Sequence, residues 1–197
     1  MRNKTTEFLS IQEIKDLYRQ CDRTHEKGLR DFCILSLMLH TGLRRHEVVA
    51  LRRKNLNAQG KTLYLYARTK GERERKIPLK DLELIEALGK YFKKIGLDDA
   101  PDAAMFFSTS KNPAGQRRPI TDETVRRVVE SRVKQAKILK RITPHSLRHT
   151  FITQALHAGA DIKTTQALAG HANISTTSRY LHTTEERMEE AIAKLKF

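Results

Sequence analysis

Apolar residues return at helical spacing from the beginning of the chain. Ser10 and Glu13 make a capping-box signature, and Ile11, Ile14, Leu17 and Tyr18 follow on one face of the helix it opens. A second segment, from about Leu29 to His40, is apolar nearly all round and stops at Gly42. That combination predicts a buried helix closed by a residue tolerant of the left-handed conformation. A third helix begins near Arg44 and turns Val48, Val49 and Leu51 inward. The period then shortens. Leu and Tyr alternate between Lys61 and Arg68, Thr69-Lys70-Gly71-Glu72 has the composition of a hairpin tip, and Arg75 to Leu79 returns as the partner strand, stopped by Pro78. A first strand near Asn55 to Ala58 completes a small sheet, the only one expected.

Helical spacing resumes after Asp81, with Leu82, Ile85, Leu88, Phe92 and Ile95 on one face. Loops are expected around Asp98 to Pro101 and from Ser108 to Pro119. Thr121 caps a helix through Lys137 with Val125, Val128, Val129 and Val133 inward. Thr143-Pro144 sets a capping residue before a proline at the first helical position, and that helix runs to His157 and stops at Gly159. Short helices follow from Ile162 to Ala169 and from near Ser175, and Thr183 with Glu186 forms a second capping box for the last segment. No internal repeat or long flexible linker divides the chain. The expected fold is therefore mainly α with a small antiparallel β-sheet or hairpin on one side, an α+β domain.

Composition narrows the class. Hydrophobic residues are 39% and charged residues 31% of the chain, the balance of a globular protein rather than a disordered one. The longest apolar run, Phe32 to Leu39, is too short to span a bilayer. Met1-Arg2-Asn3-Lys4 leads into polar residues, not into the apolar core of an export signal, which predicts a cytoplasmic location. Lys and Arg total 38 against 23 acidic residues, a formal net charge of +15. Such an excess attracts a polyanion, and nucleic acid fits better than an anionic membrane because the charge is dispersed over Arg44 to Lys54, Lys70 to Lys80 and Arg117 to Arg141 rather than gathered in a tail. Cys21 and Cys33 fall on apolar positions and are expected to be buried free thiols, neither nucleophile nor ligand.

The residues able to carry chemistry cluster in four stretches: Thr41-Gly42-Leu43-Arg44-Arg45-His46-Glu47, then Arg68-Thr69-Lys70-Gly71 to Ile77-Pro78-Leu79, then Pro144-His145-Ser146-Leu147-Arg148-His149, and last Gly170-His171 followed by Tyr180. Taken singly, Arg44 is a solvated residue at a helix start, Lys70 a turn residue and Tyr180 a half-buried aromatic. His145 and His149 stand at a metal-like spacing, but the Glu of a His-Glu-x-x-His motif is missing and no cysteine lies nearby, so no metal is expected. The order and spacing of the four stretches together resemble the tyrosine recombinase (phage integrase) family, from about Phe8 to Thr184.

The resemblance implies a DNA strand-transfer enzyme that needs no cofactor. Arg44, Lys70, His145, Arg148, His171 and Tyr180 match the family's catalytic positions, with Tyr180 as the nucleophile. Glu47 and His149 match supporting positions that the family fills with an acid and a histidine. It implies double-stranded DNA as partner, a homotetramer on DNA with exchange of a carboxy-terminal segment (184–197), and a nucleoid-associated location. Many members carry an amino-terminal DNA-clamping domain. This chain starts almost at the catalytic domain, so residues 1–197 are expected to be that domain alone. Two alternatives share the fold: relaxation of the type IB topoisomerase kind, and a non-catalytic DNA-binding regulator. The second has no need of Tyr180 or Lys70.

Overall fold

A computed structural model of the chain describes residues 7–68, 74–97 and 99–169. The helices are α1 (Ile11–Arg19), α2 (Glu26–Thr41), α3 (Arg45–Ala50), α4 (Leu82–Ile95), α5 (Asp122–Gln135), α6 (Pro144–His157) and α7 (Ile162–Ala169). Five strands interrupt them: β1 (Leu56–Gln59), β2 (Thr62–Arg68) and β3 (Glu74–Leu79) form one antiparallel sheet in that order, and β4 (Phe107–Lys111) pairs with β5 (Arg117–Pro119). The mainly helical α+β architecture is the one the hydrophobic pattern predicts. Among the described residues no helix is long and apolar enough to cross a membrane.

The core is built around α2. Residues Gly28 to Leu39 of this helix are buried on every side, including Arg30 and Asp31. Burying a carboxylate is tolerable only when it is paired, since an isolated ion would lose its hydration. Asp31 meets Arg30 at 2.7 Å and Arg132 of α5 at 2.6 Å, and Arg132 also donates to the Gln20 carbonyl at 2.7 Å. This charge cluster fixes α5 against α2 with a directionality that apolar contact lacks. Val125, Val128, Val129 and Val133 bury the inward face of α5 as expected. Cys21 and Cys33 are buried and free, and burial pushes the Cys21 thiol up to about 12, so both pack as small apolar groups.

Leu9 and Ser10, just before α1, are tied down as well. Ser10 caps α1 with the reciprocal Glu13 bond. The Leu9 amide donates to the Thr150 hydroxyl at 3.0 Å, and Gln154 donates to the Leu9 carbonyl at 3.3 Å, so the entry strand lies along α6.

Several expectations are corrected. The stretch Ser108 to Pro119 is a two-stranded hairpin, not a loop, anchored where the Phe107 amide donates to the Tyr91 hydroxyl. Its polar sequence gave no alternation to read. Pro78 does not stop β3, which continues to Leu79 with Pro78 opposite Tyr64. As β3 borders only β2 among the described strands, a proline without an N–H is tolerated there. The buried face of α4 is Leu84, Ala87, Leu88, Tyr91 and Phe92, while Leu82 is 79% exposed. Asp81 caps the helix by accepting from the Leu84 amide, and that turn fixes which face meets α2. Ile11 is likewise 55% exposed. Leu51 is buried but follows the end of α3, and Val49 is only half-buried. The hairpin tip at Thr69 to Glu72 and the helices expected near Ser175 and after Thr183 lie outside the described residues.

Candidate active site

The site is made where α2 ends, α3 begins and α6 passes beneath them. Gly42 closes α2 with φ +64°, and a Cβ added there would lie 2.4 Å from the Phe151 ring. Both facts require glycine, one by backbone conformation and one by space. The left-handed turn aims the Gly42 carbonyl at α6, where Arg148 donates to it at 2.7 Å. Arg148 is 2% exposed. Its position is therefore set by a backbone oxygen far away in sequence and by the packing of α2 on α6.

Arg44 follows as the residue preceding α3. Its amide donates to Glu47 Oε2 at 2.7 Å and its guanidinium to Glu47 Oε1 at 3.3 Å, leaving the side chain 36% exposed. On α6, Thr143 caps the helix and Pro144 occupies its first turn. His145 and Arg148 stand three residues apart, so both project toward the same side. Arg44, His145 and Arg148 line one open pocket of about 480 Å³, together with Arg45, Arg126 and Glu130. The positive end of α6 opens at the same place.

This surrounding field governs His145. Partial desolvation, then the charges of Arg148 and Arg44, push its pKa below the ordinary imidazole value. At neutral pH it is uncharged and able to accept a proton. Two fixed guanidiniums beside a neutral imidazole form a site that can hold a phosphodiester and receive a proton from an attacking group. Among the described residues no group of three or more His, Cys, Asp or Glu could hold a metal ion. His149, one turn beyond His145, instead sets its ring edge-on to Phe8 at 5.6 Å.

Lys70, His171 and Tyr180 lie outside the described residues. Arg68 and Glu74 are the last described positions on either side of the Lys70 hairpin tip. Both line a second pocket of about 460 Å³ beside Arg52, Lys54 and Tyr66, and Glu47 lines it too. Glu47 thus stands between the Arg44 pocket and the base of the hairpin.

One residue at the site was missed in the sequence. Arg75 of β3 is buried and donates to Glu47 Oε2 at 2.9 Å and to the Leu168 carbonyl of α7 at 2.6 Å. Burial, and the neighbouring Arg44 charge, pull its pKa down, and the Glu47 carboxylate opposes that shift. A signal was present: Arg75, Ile77 and Leu79 share one parity, so an arginine occupies the core-facing row of the strand, opposite the small Ala67.

Residues 7–187 match the sequence profile of the phage integrase family. The chain is 34% identical over 190 residues to tyrosine recombinase XerC of Staphylococcus haemolyticus, covering 95% of this chain and 61% of that protein. It superimposes on the crystal structure of XerA recombinase with TM-score 0.76 and 28% identity, covering 97% of this chain and 66% of the other. The XerH site-specific recombinase bound to difH substrate shares the fold with TM-score 0.78 at 21% identity, covering 100% of this chain and 56% of that one. The chain spans about 60% of the length of the curated relatives it matches.

Proposed function

Because this chain belongs to the phage integrase family, we propose that it is the catalytic domain of a site-specific recombinase that cleaves and rejoins double-stranded DNA through a phosphotyrosine intermediate. The observation that carries the reading is the convergence of Arg44, His145 and Arg148 on one pocket. These are three of the six positions at which the sequence resembles the family's catalytic set, and they come from segments about a hundred residues apart. The XerH relative's complex with its difH substrate supports DNA as the partner, as does the net charge of +15.

In this mechanism the Tyr180 oxygen attacks the scissile phosphorus and the bond to the 5′ oxygen breaks. Arg44 and Arg148 hold the two non-bridging oxygens, where negative charge builds, and His171 adds a hydrogen bond. His145, neutral at the start, takes the phenol proton. Lys70 gives a proton to the departing 5′ oxygen, which is otherwise a poor leaving group. The product is a 3′-phosphotyrosyl bond and a free 5′-hydroxyl, and the reverse sequence rejoins a strand from a second duplex. Exchange between duplexes calls for assembly on DNA. The apolar stripe Met188, Ile192 and Leu195 within residues 184–197 supports docking of that segment on a neighbouring protomer in a tetramer, and binding to chromosomal DNA places the assembly at the nucleoid.

The test is direct. The chain is mixed with a pool of nicked duplexes of random sequence and covalent protein–DNA adducts are isolated. The wild-type chain is expected to form adducts, and Tyr180→Phe to bind the same duplexes while forming none. Undiminished adducts in the Phe variant would remove Tyr180 from the reaction, and their absence from the wild type would end the recombinase reading.

A further inference from the structure

Glu47 is nearly sealed from solvent, with its side chain 1% exposed, yet it faces two guanidiniums. Oε2 accepts from the Arg44 amide at 2.7 Å and from Arg75 at 2.9 Å, while among the described residues Oε1 receives only the 3.3 Å contact from the Arg44 side chain. The division is unequal. A buried carboxylate must be neutralised by something close. Arg75, 8% exposed, supplies that charge from the core side. Arg44 therefore needs to give Glu47 no more than one long contact, and its guanidinium stays 36% exposed at the pocket.

The other arm of Arg75 reaches a different element. Its Nη1 donates to the Leu168 carbonyl at 2.6 Å. Leu168, 93 residues on from Arg75, belongs to α7 (Ile162–Ala169). One buried guanidinium of β3 thus grips both the acid behind Arg44 and the backbone of α7.

We propose that Arg75 is a positioning residue of the recombinase reaction: by neutralising Glu47 it keeps Arg44 available for the scissile phosphate. The proposal rests on the recombinase reading above. It differs from the simpler role of a structural latch between β3 and α7 in one consequence. If Arg75 is removed, Arg44 is the one cation left beside Glu47 among the described residues, and Glu47 draws that guanidinium inward, away from the phosphate. Removing the Glu47 charge as well releases Arg44 again. A latch would gain nothing from the second change, because Glu47→Gln does not restore the bond from residue 75 to the Leu168 carbonyl.

The experiment uses the full chain and a nicked duplex recovered from the wild type's own adducts, with single-turnover adduct formation and duplex retention measured in parallel. Arg75→Gln removes the charge but keeps an amide donor. It is expected to slow adduct formation about 100-fold, the scale of a small misplacement of a catalytic group, while still retaining the duplex. Glu47→Gln/Arg75→Gln is expected to regain about tenfold of that loss, a coupling typical of residues in one network. An undiminished rate in Arg75→Gln overturns the proposal, and so does a double variant no faster than the single one. If Arg75→Gln does not fold, the double variant, which carries no uncompensated buried charge, decides alone. A rate within about tenfold of wild type supports the proposal, and a loss of about 100-fold or more, as deep as that of removing a clamp arginine, overturns it. A wild-type chain that forms no adduct overturns the recombinase reading and this proposal together, whereas every other failure leaves the reading standing.

Discussion

Arg148 and Arg126 line the same pocket, yet they are held by opposite means. Arg126 is gripped by its own helix, through Glu123 and Glu130 at 2.6 Å, three and four residues away, with 41% of its side chain exposed. Arg148 is 2% exposed and is held by the carbonyl of Gly42, on another helix. The first arrangement could form on an isolated helix, and exposed pairs of this kind give up as much to water and side-chain entropy as they gain. The second exists only when α2 and α6 are packed. A phosphate clamp needs donors fixed before the substrate arrives, because reorganisation during the reaction would consume the benefit. Two arginines in one cavity therefore divide into a group fixed in advance and a surface charge, and burial with a distant anchor is what separates them.

The sharpest way to break this contrast is to remove each arginine in turn. Arg148→Ala should slow adduct formation about 100- to 1,000-fold, the usual cost of losing one preorganised donor. Arg148→Lys should recover little, because an ammonium cannot reproduce the planar fork. Arg126→Ala should leave the rate within a few-fold, as its charge is already committed to Glu123 and Glu130. Equal losses at the two positions would dissolve the distinction.

The anchor can be attacked without touching an arginine. Gly42→Ala places a Cβ 2.4 Å from Phe151 at φ +64°, and it should destabilise the fold by about 1–3 kcal/mol in denaturant unfolding. Phe151→Ala in the same chain should relieve the clash but not the backbone strain, so it should restore only part of the loss. Full restoration would show that space alone, not the left-handed turn, demands glycine here.

The electrostatic consequence is visible in pH. Desolvation with Arg148 and Arg44 lowers the His145 pKa from 6.5, so its proton-accepting form persists to more acidic solution than a free imidazole's. Adduct formation should hold steady from neutral pH down past 6.5 and decline only below it, as protonation removes the base. Arg44→Gln should move the acidic limb upward by taking one cation away. A limb already above 6.5 in the wild type would contradict the assignment of His145 as the proton acceptor.

The smallest effect is expected on the exposed side. Arg126 and Arg127 hold the Glu123 carboxyl down at about 2. Glu123→Gln should leave thermal unfolding unchanged and release Arg127 toward DNA, while Arg126 keeps Glu130, so the fall of affinity with salt should steepen slightly. An unchanged salt slope would mean that Arg127 does not reach phosphate.

Much of this molecule was legible in the amino-acid order. Capping pairs such as Ser10 with Glu13 and Thr143 before Pro144 mark helix starts because they act within a single turn. The valines of α5 show their buried face because their spacing is the helical period itself. Arg44, His145 and Arg148 could be picked out because the order of their motifs resembles a family. What only the tertiary structure decided is how distant segments meet. Leu82 and Leu84 are equally apolar, and packing on α2 buries one and leaves the other in water. The polar hairpin of β4 and β5 carries no alternation, and its register depends on Tyr91 beneath it. Arg75 reads as one more charge in a basic strand until the strand's inward row closes over Glu47 and α7. Local order is written in local spacing, whereas the fate of a buried charge depends on partners that sequence distance conceals and only folding brings within a hydrogen bond.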